Sequence, residues 1–167
     1  EMWKKGDILF YYTAAGGMNK WSGEQQYTQR LAVSSDDGYH LEKKDVVILP
    51  TEATENRDPK VFWHEESQAY VMPLYIDGNI YHIYRSQDGI HWEKTQELTE
   101  DGMWECPDLF KIRDEKTGET MWVFWSAQGY YYLGTFDGYH FEKKSQMMKA
   151  YAMPENPEEE GRAYAAQ

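Results

Sequence analysis

Short apolar-rich runs bounded by polar and turn-forming residues recur along nearly the whole chain, as in DILFYYTAA near the amino end, AYVMPLYI at 69–76 and ETMWVFWSA at 119–127, and runs of alternating apolar and polar residues flank each Asp-Gly. Alternation with a period of two places one set of side chains on each face of a strand. The clearest group of runs lies at 57–64, 69–76, 79–87 and 90–96, and a second group repeats it at 106–112, 119–127, 130–136 and 139–146. An earlier group shows three runs, at 7–15, 27–35 and 39–47, and GRAYAAQ at 161–167 reads as the first strand of a further group.

A near-identical phrase closes each group: DGYHLEKK at 37–44, DGIHWEKT at 88–95 and DGYHFEKK at 137–144, with steps of 51 and 49 residues between the aspartates. Asp-Gly between two alternating runs predicts a two-residue hairpin whose turn needs positive φ. Four strands of roughly 5–6 residues and their turns fill such a period, which is the length of a β-propeller blade. The fold class is therefore all-β, a propeller section of about three blades within one partial domain, 1–167. Its expected divisions are a first blade lacking its inner strand (about 1–50), complete blades at about 51–100 and 101–150, and the first strand of another at about 160–167. Closed propellers have about four to eight blades, so the chain is expected to be a section of a larger ring with open edges that favour self-association.

Composition narrows the function classes. A hydrophobic fraction of 41%, with 7 Trp, 14 Tyr and 6 Phe, is enough for a real core. No apolar run approaches the roughly 18 residues of a membrane span, and no charged-then-apolar leader opens the chain. It reads as soluble, with its compartment left open. The formal charge of −12 works against phosphate backbones and anionic lipid, so neither nucleic acid nor membrane is expected as a partner. The single cysteine, Cys106, excludes an internal disulfide. Glu at position 1, close before a strand pattern, places the natural start upstream.

The first strand of each blade lines the central axis, so the residues opening those strands should meet in one funnel: RDP at 57–59, WECPD at 104–108 and EEGR at 159–162. Asp58 stands between Arg57 and Pro59, where a neighbouring guanidinium favours its anion. Glu105 is flanked by Trp104, Cys106 and Pro107, an apolar setting that would raise its pKa and let it hold a proton. One ionised and one protonated carboxyl facing a common cleft is the pairing glycosidases use. Turn-forming residues that merely begin strands would leave the same trace.

RDP followed by ECPDLF resembles the paired motifs of glycoside hydrolase family 32, the invertases, levanases and inulinases, and the resemblance runs over essentially the whole chain. It implies a five-bladed propeller and a β-fructoside substrate. It further implies Asp58 as transition-state stabiliser, Glu105 as acid/base, Arg57 and Cys106 as substrate-binding residues, and no metal or other cofactor. The family's Asn-Asp-Pro nucleophile segment does not occur in these 167 residues, and Ala163 stands where the family usually has phenylalanine.

Two rival readings remain: a non-catalytic carbohydrate-binding or assembly module that has lost the nucleophile, and a related propeller acting on arabinosides or xylosides. His40, His91 and His140 occupy one slot of each repeat and are expected on separate outer edges, as structural groups rather than a shared metal site. HEESQ at 64–68 lacks the second histidine of a zinc-binding helix. Trp21, in a long Gly-rich loop, and Glu160, near the funnel, are weaker candidates, and Asp108 has no independent claim to a catalytic role.

Overall fold

The structure is a computed structural model, and it describes residues 2–16, 26–53 and 55–150. The strands are β1 (Ile8–Ala14), β2 (Thr28–Ser34), β3 (Glu42–Leu49), β4 (Phe62–His64), β5 (Ala69–Asp77), β6 (Ile80–Ser86), β7 (Glu93–Thr99), β8 (Asp108–Arg113), β9 (Thr120–Trp125), β10 (Tyr130–Phe136), β11 (Phe141–Lys143) and β12 (Met148–Lys149). They form three successive antiparallel sheets, ordered β1-β2-β3, β4-β5-β6-β7 and β11-β10-β9-β8, with β12 also paired to β10. The 161–167 run, Trp21 and Glu160 lie outside the described residues.

The middle sheet is packed on both faces, and the two-residue period of β5 and β6 decides which side chains go where. Met72, Leu74, Ile76 and Tyr84 meet Leu31, Val33, Ile48 and Leu49 of the first sheet. The alternate positions Val71, Tyr75, Tyr81 and Ile83 meet Leu109, Trp122, Phe124, Phe136 and Phe141 of the third. Each such side chain removed from water contributes about 1.5–3 kcal/mol. A strand buried on both faces needs the near-continuous apolar run that β5 has. Face-to-face stacking of consecutive antiparallel sheets is the packing of propeller blades.

The closing phrase of each group is not a two-residue hairpin. The strands it joins are separated by 35–41, 87–92 and 137–140, because a carboxylate has taken over the turn. Asp88 Oδ1 accepts from the amides of Ile90 and His91 at 2.9 and 2.8 Å, and Asp137 Oδ1 accepts from Tyr139 and His140 at 2.8 and 2.7 Å. In the first blade the acceptor is Asp36, which binds the His40 amide at 2.9 Å. Asp37 is then an extra residue with φ of 59°. His40 and His91 turn Nδ1 back onto Asp36 and Asp88, at 2.5 and 2.6 Å. The middle corner is seated on the first sheet, with Tyr11 donating to Gly89 O at 2.8 Å and Trp3 to Asp88 O at 3.1 Å.

Candidate active site

The strand expected over 57–64 is regular only from Phe62 to His64. Phe62 pairs with Val71, and the Lys60 amide continues that register by donating to Pro73 O at 3.2 Å. Arg57 rejoins β5 opposite Tyr75, one residue out of step, through mutual bonds of 2.9 and 3.1 Å. Asp58 and Pro59 therefore share the space opposite Leu74, a bulge in which Asp58 adopts φ of 61°. The next blade repeats the slip. Asp108 pairs with Trp125, whereas Glu105 O accepts from Ala127 N at 3.2 Å, so Cys106 and Pro107 stand opposite Ser126. Glu105 and Cys106 have φ of 56° and 41°. Proline suits the extra position because it has no amide hydrogen that would seek a ladder partner.

These two bulges bring the motifs together in a fixed register, each residue meeting the one 48 positions later. Arg57 Nη2 donates to Glu105 Oε1 at 2.6 Å. Asp58 Oδ2 accepts from the Cys106 amide at 3.1 Å and from Cys106 Sγ at 3.6 Å. Lys60 Nζ lies 3.2 Å from Oδ2 of Asp108, whose side chain is buried. The side chains of Arg57, Asp58 and Glu105 are 22%, 28% and 28% exposed, sheltered yet open to a solute.

The partner of the guanidinium differs from the one expected. Arg57 Nε stands 3.9 Å from Asp58, and its short contacts go to Glu105 and to Glu55, at 3.0 Å. The bulge leaves Asp58 at the outer limit of ion-pair distance from its sequence neighbour, and the shorter bonds of the guanidinium run to Glu105 and Glu55. Glu105 is thus ion-paired rather than enclosed by the apolar residues that flank it in sequence. Partial burial works against the Arg57 charge, yet the bonds to Glu105 and Glu55 outweigh it and leave the guanidinium pKa above its ordinary value. Burial first, and then the charge of Asp58, push the Cys106 thiol up to about 11. Cys106 is therefore a neutral S–H donor facing a carboxylate.

Several supports of the site were not visible in the sequence. Thr13 Oγ1 accepts from the Asp58 amide at 3.3 Å and donates to Gln29 Oε1 at 2.8 Å, and Gln29 Nε2 donates to Asn56 O at 3.0 Å. The first sheet thereby holds the backbone of the first motif. On the other side Met103 is fully buried, and Gln128 Oε1 accepts from the Trp104 amide at 3.0 Å. The backbone on both sides of each carboxylate is held before any solute arrives, which is what preorganisation requires. Tyr75 supports Arg57, whose guanidinium carbon lies 4.9 Å from the centre of its ring. Among the described residues no cluster of three metal-ligating side chains occurs.

Residues 2–167 match the family model described as the glycosyl hydrolases family 32 N-terminal domain. An extracellular exo-inulinase of Meyerozyma guilliermondii is 33% identical over 134 residues, an alignment covering 71% of this chain and 26% of that protein. The crystal structure of exo-inulinase from Aspergillus awamori superposes with a TM-score of 0.75 at 25% identity, covering 95% of this chain and 35% of that one. Fructofuranosidase from Schwanniomyces occidentalis, complexed with fructose, gives a TM-score of 0.73 at 25% identity over 86% of this chain and 30% of that one. The chain thus spans about a quarter of the length of the curated relative.

Proposed function

This chain belongs to glycoside hydrolase family 32, and from that premise we propose that it forms part of a retaining hydrolase of β-fructosides such as sucrose, inulin or levan. The observation that carries the reading is the meeting of Arg57 and Asp58 with Glu105 and Cys106 across two adjacent blades. An exo-inulinase relative and a fructose-bound structural neighbour support the substrate class.

In this reaction a carboxylate supplied by a part of the protein outside these residues attacks the anomeric carbon of the fructosyl unit. Glu105, which takes up a proton before this step, gives it to the departing glycosidic oxygen, and a covalent fructosyl-enzyme forms. Glu105, now a base, takes a proton from water as that water attacks the same carbon and releases fructose. Asp58 accepts hydrogen bonds from sugar hydroxyls, which strengthen as positive charge develops on the ring. Arg57 aligns Glu105 and reaches the sugar with its remaining donors. Cys106 keeps Asp58 oriented from behind and borders the sugar.

The test is to incubate the full-length protein with sucrose, inulin and levan and to follow the first-formed fructose by NMR. Release of the β-anomer supports the reading. Inversion, or no release from any of the three, overturns it. Among the described residues β1 is an edge strand of its sheet, with Ile8 and Phe10 exposed. The isolated 167-residue polypeptide is therefore proposed to self-associate, which light scattering would reveal.

A further inference from the structure

We propose that Tyr75 is a positioning residue for this reaction: its ring is the floor that keeps the Arg57 guanidinium aimed at Glu105. The inference rests on the hydrolase reading above and assigns a role to a side chain that does not reach the sugar, since Tyr75 is only 4% exposed.

Two independent contacts join Tyr75 to Arg57. The backbones exchange both possible hydrogen bonds just beyond the bulge, which fixes where the Arg57 side chain starts. The guanidinium then lies over the Tyr75 ring at 4.9 Å, which fixes where it ends. The ring is itself braced, because Tyr81 packs edge-on against it at 5.7 Å and Phe124 braces Tyr81 in turn at 5.3 Å.

Arg57 needs such a floor because it has a choice of anions. Glu55, half exposed, already takes Nη1, and Asp58 stands 3.9 Å from Nε. A guanidinium without a fixed plane would swing towards these competing carboxylates, of which Glu55 is the more exposed, and leave Glu105. A planar cation resting on a ring face keeps its in-plane donors pointing outward along the ring surface, and here Nη2 points to Glu105. The charged and titratable groups around the pair are Glu55, Asp58, Asp77, Cys106 and Tyr81, together with Tyr75 itself. Of these, Tyr75 alone has its ring under the guanidinium.

The test separates ring electrostatics from packing by comparing two rings of similar shape in the full-length protein. Tyr75→Phe retains the electron-rich face and serves as reference. Tyr75→pentafluorophenylalanine reverses its polarity. The fluorinated ring is expected to lower kcat/KM on the order of 3- to 30-fold against the reference, the scale of a cation–π contact. It is also expected to shift the Glu105 carboxyl titration, followed by NMR of labelled glutamate, to higher pH as the neighbouring cation withdraws. In an Arg57→Ala background the two rings are expected to behave alike. Equal titration of Glu105 with either ring would overturn the inference. The titration reads the inference even if no fructoside is cleaved, an outcome that would instead remove the proposed reaction.

Discussion

Arg57 Nη2 and Glu105 Oε1 lie 2.6 Å apart although 48 residues separate them, and this one contact spans the seam between two blades at the point where both backbones bulge. Its register is shared by Asp58 with Cys106 and by Lys60 with Asp108. Equivalent residues of successive blades face each other, so any change in how the blades stack moves the paired motif residues together.

Replacing Glu105 by Gln in the full-length protein is expected to lower kcat on natural fructosides by about 10²–10⁴, the usual share of general acid–base catalysis. Substrates with an activated leaving group should lose less in the first step because they need less protonation. Equal losses in stopped-flow measurements of both substrate types would remove Glu105 from the acid role.

For Asp58→Asn the expected loss is in kcat, by roughly 10²–10³, with KM little changed, because charge-assisted bonds to the sugar matter most as charge develops. Steady-state kinetics on sucrose check this. A rise in KM at constant kcat would mean that Asp58 contributes only uniform binding.

Cys106 should react slowly with iodoacetamide. A thiol pushed up to about 11 holds roughly 200-fold less thiolate at pH 8 than a cysteine near its usual value of about 8.5. Asp58→Asn removes the neighbouring charge and should speed the reaction. Mass-spectrometric labelling rates on the folded protein give both numbers, and labelling as fast as in the urea-unfolded chain would refute the thiol–carboxylate contact.

The blade corners predict a pH dependence of stability. At Asp88 partial burial opposes the charge, but the amides of His91 and Ile90, the His91 ring and the Ser86 hydroxyl outweigh it and hold the carboxyl well below its usual range. The His40 ring has the same effect on Asp36, and the His140 amide on Asp137. Groups with depressed folded values stabilise above the unfolded value, about 3.9, and lose that contribution as pH falls through their folded values. The urea midpoint of Asp88→Asn should thus lie below that of the parent at pH 7, with the gap narrowing as pH falls below about 4. A gap that stays constant from pH 7 to pH 2 would refute it.

Two glycines distinguish backbone strain from crowding. Gly38 has φ of 89° with nothing within 4 Å of an added Cβ, so Gly38→Ala should cost only the conformational penalty, about 1 kcal/mol. At Gly89, with φ of 72°, the same Cβ would meet the Tyr11 hydroxyl at 2.5 Å. Gly89→Ala should therefore cost clearly more and loosen the corner from the first sheet, as thermal unfolding of the two variants would show.

The blade period and the pairing of RDP with ECP were legible in the sequence because each leaves a pattern at fixed spacing. The partner of Arg57 was not. Adjacency favoured Asp58, which does lie within ion-pair reach at 3.9 Å, but the shortest bond, to Glu105, is set by stacking across a blade seam. The turn type was misread for a related reason. Asp-Gly suits a tight hairpin, yet the aspartate can also take two amides itself, and the choice depends on where the flanking strands end. Thr13 and Gln29 gave no signal at all, since a polar residue inside a sheet is identified by what surrounds it.

Pro73 lies inside β5, a central strand, where proline is normally excluded. Its carbonyl faces Lys60, so its ring nitrogen faces the same side, towards the segment that bulges. An amide hydrogen there would offer that segment a second bond beyond Phe62 and reward continued zipping towards Asp58. The imino acid withholds that reward from the neighbouring strand. The geometry of the Asp58 carboxylate is thereby guarded from fifteen residues away, by a hydrogen atom that Pro73 lacks.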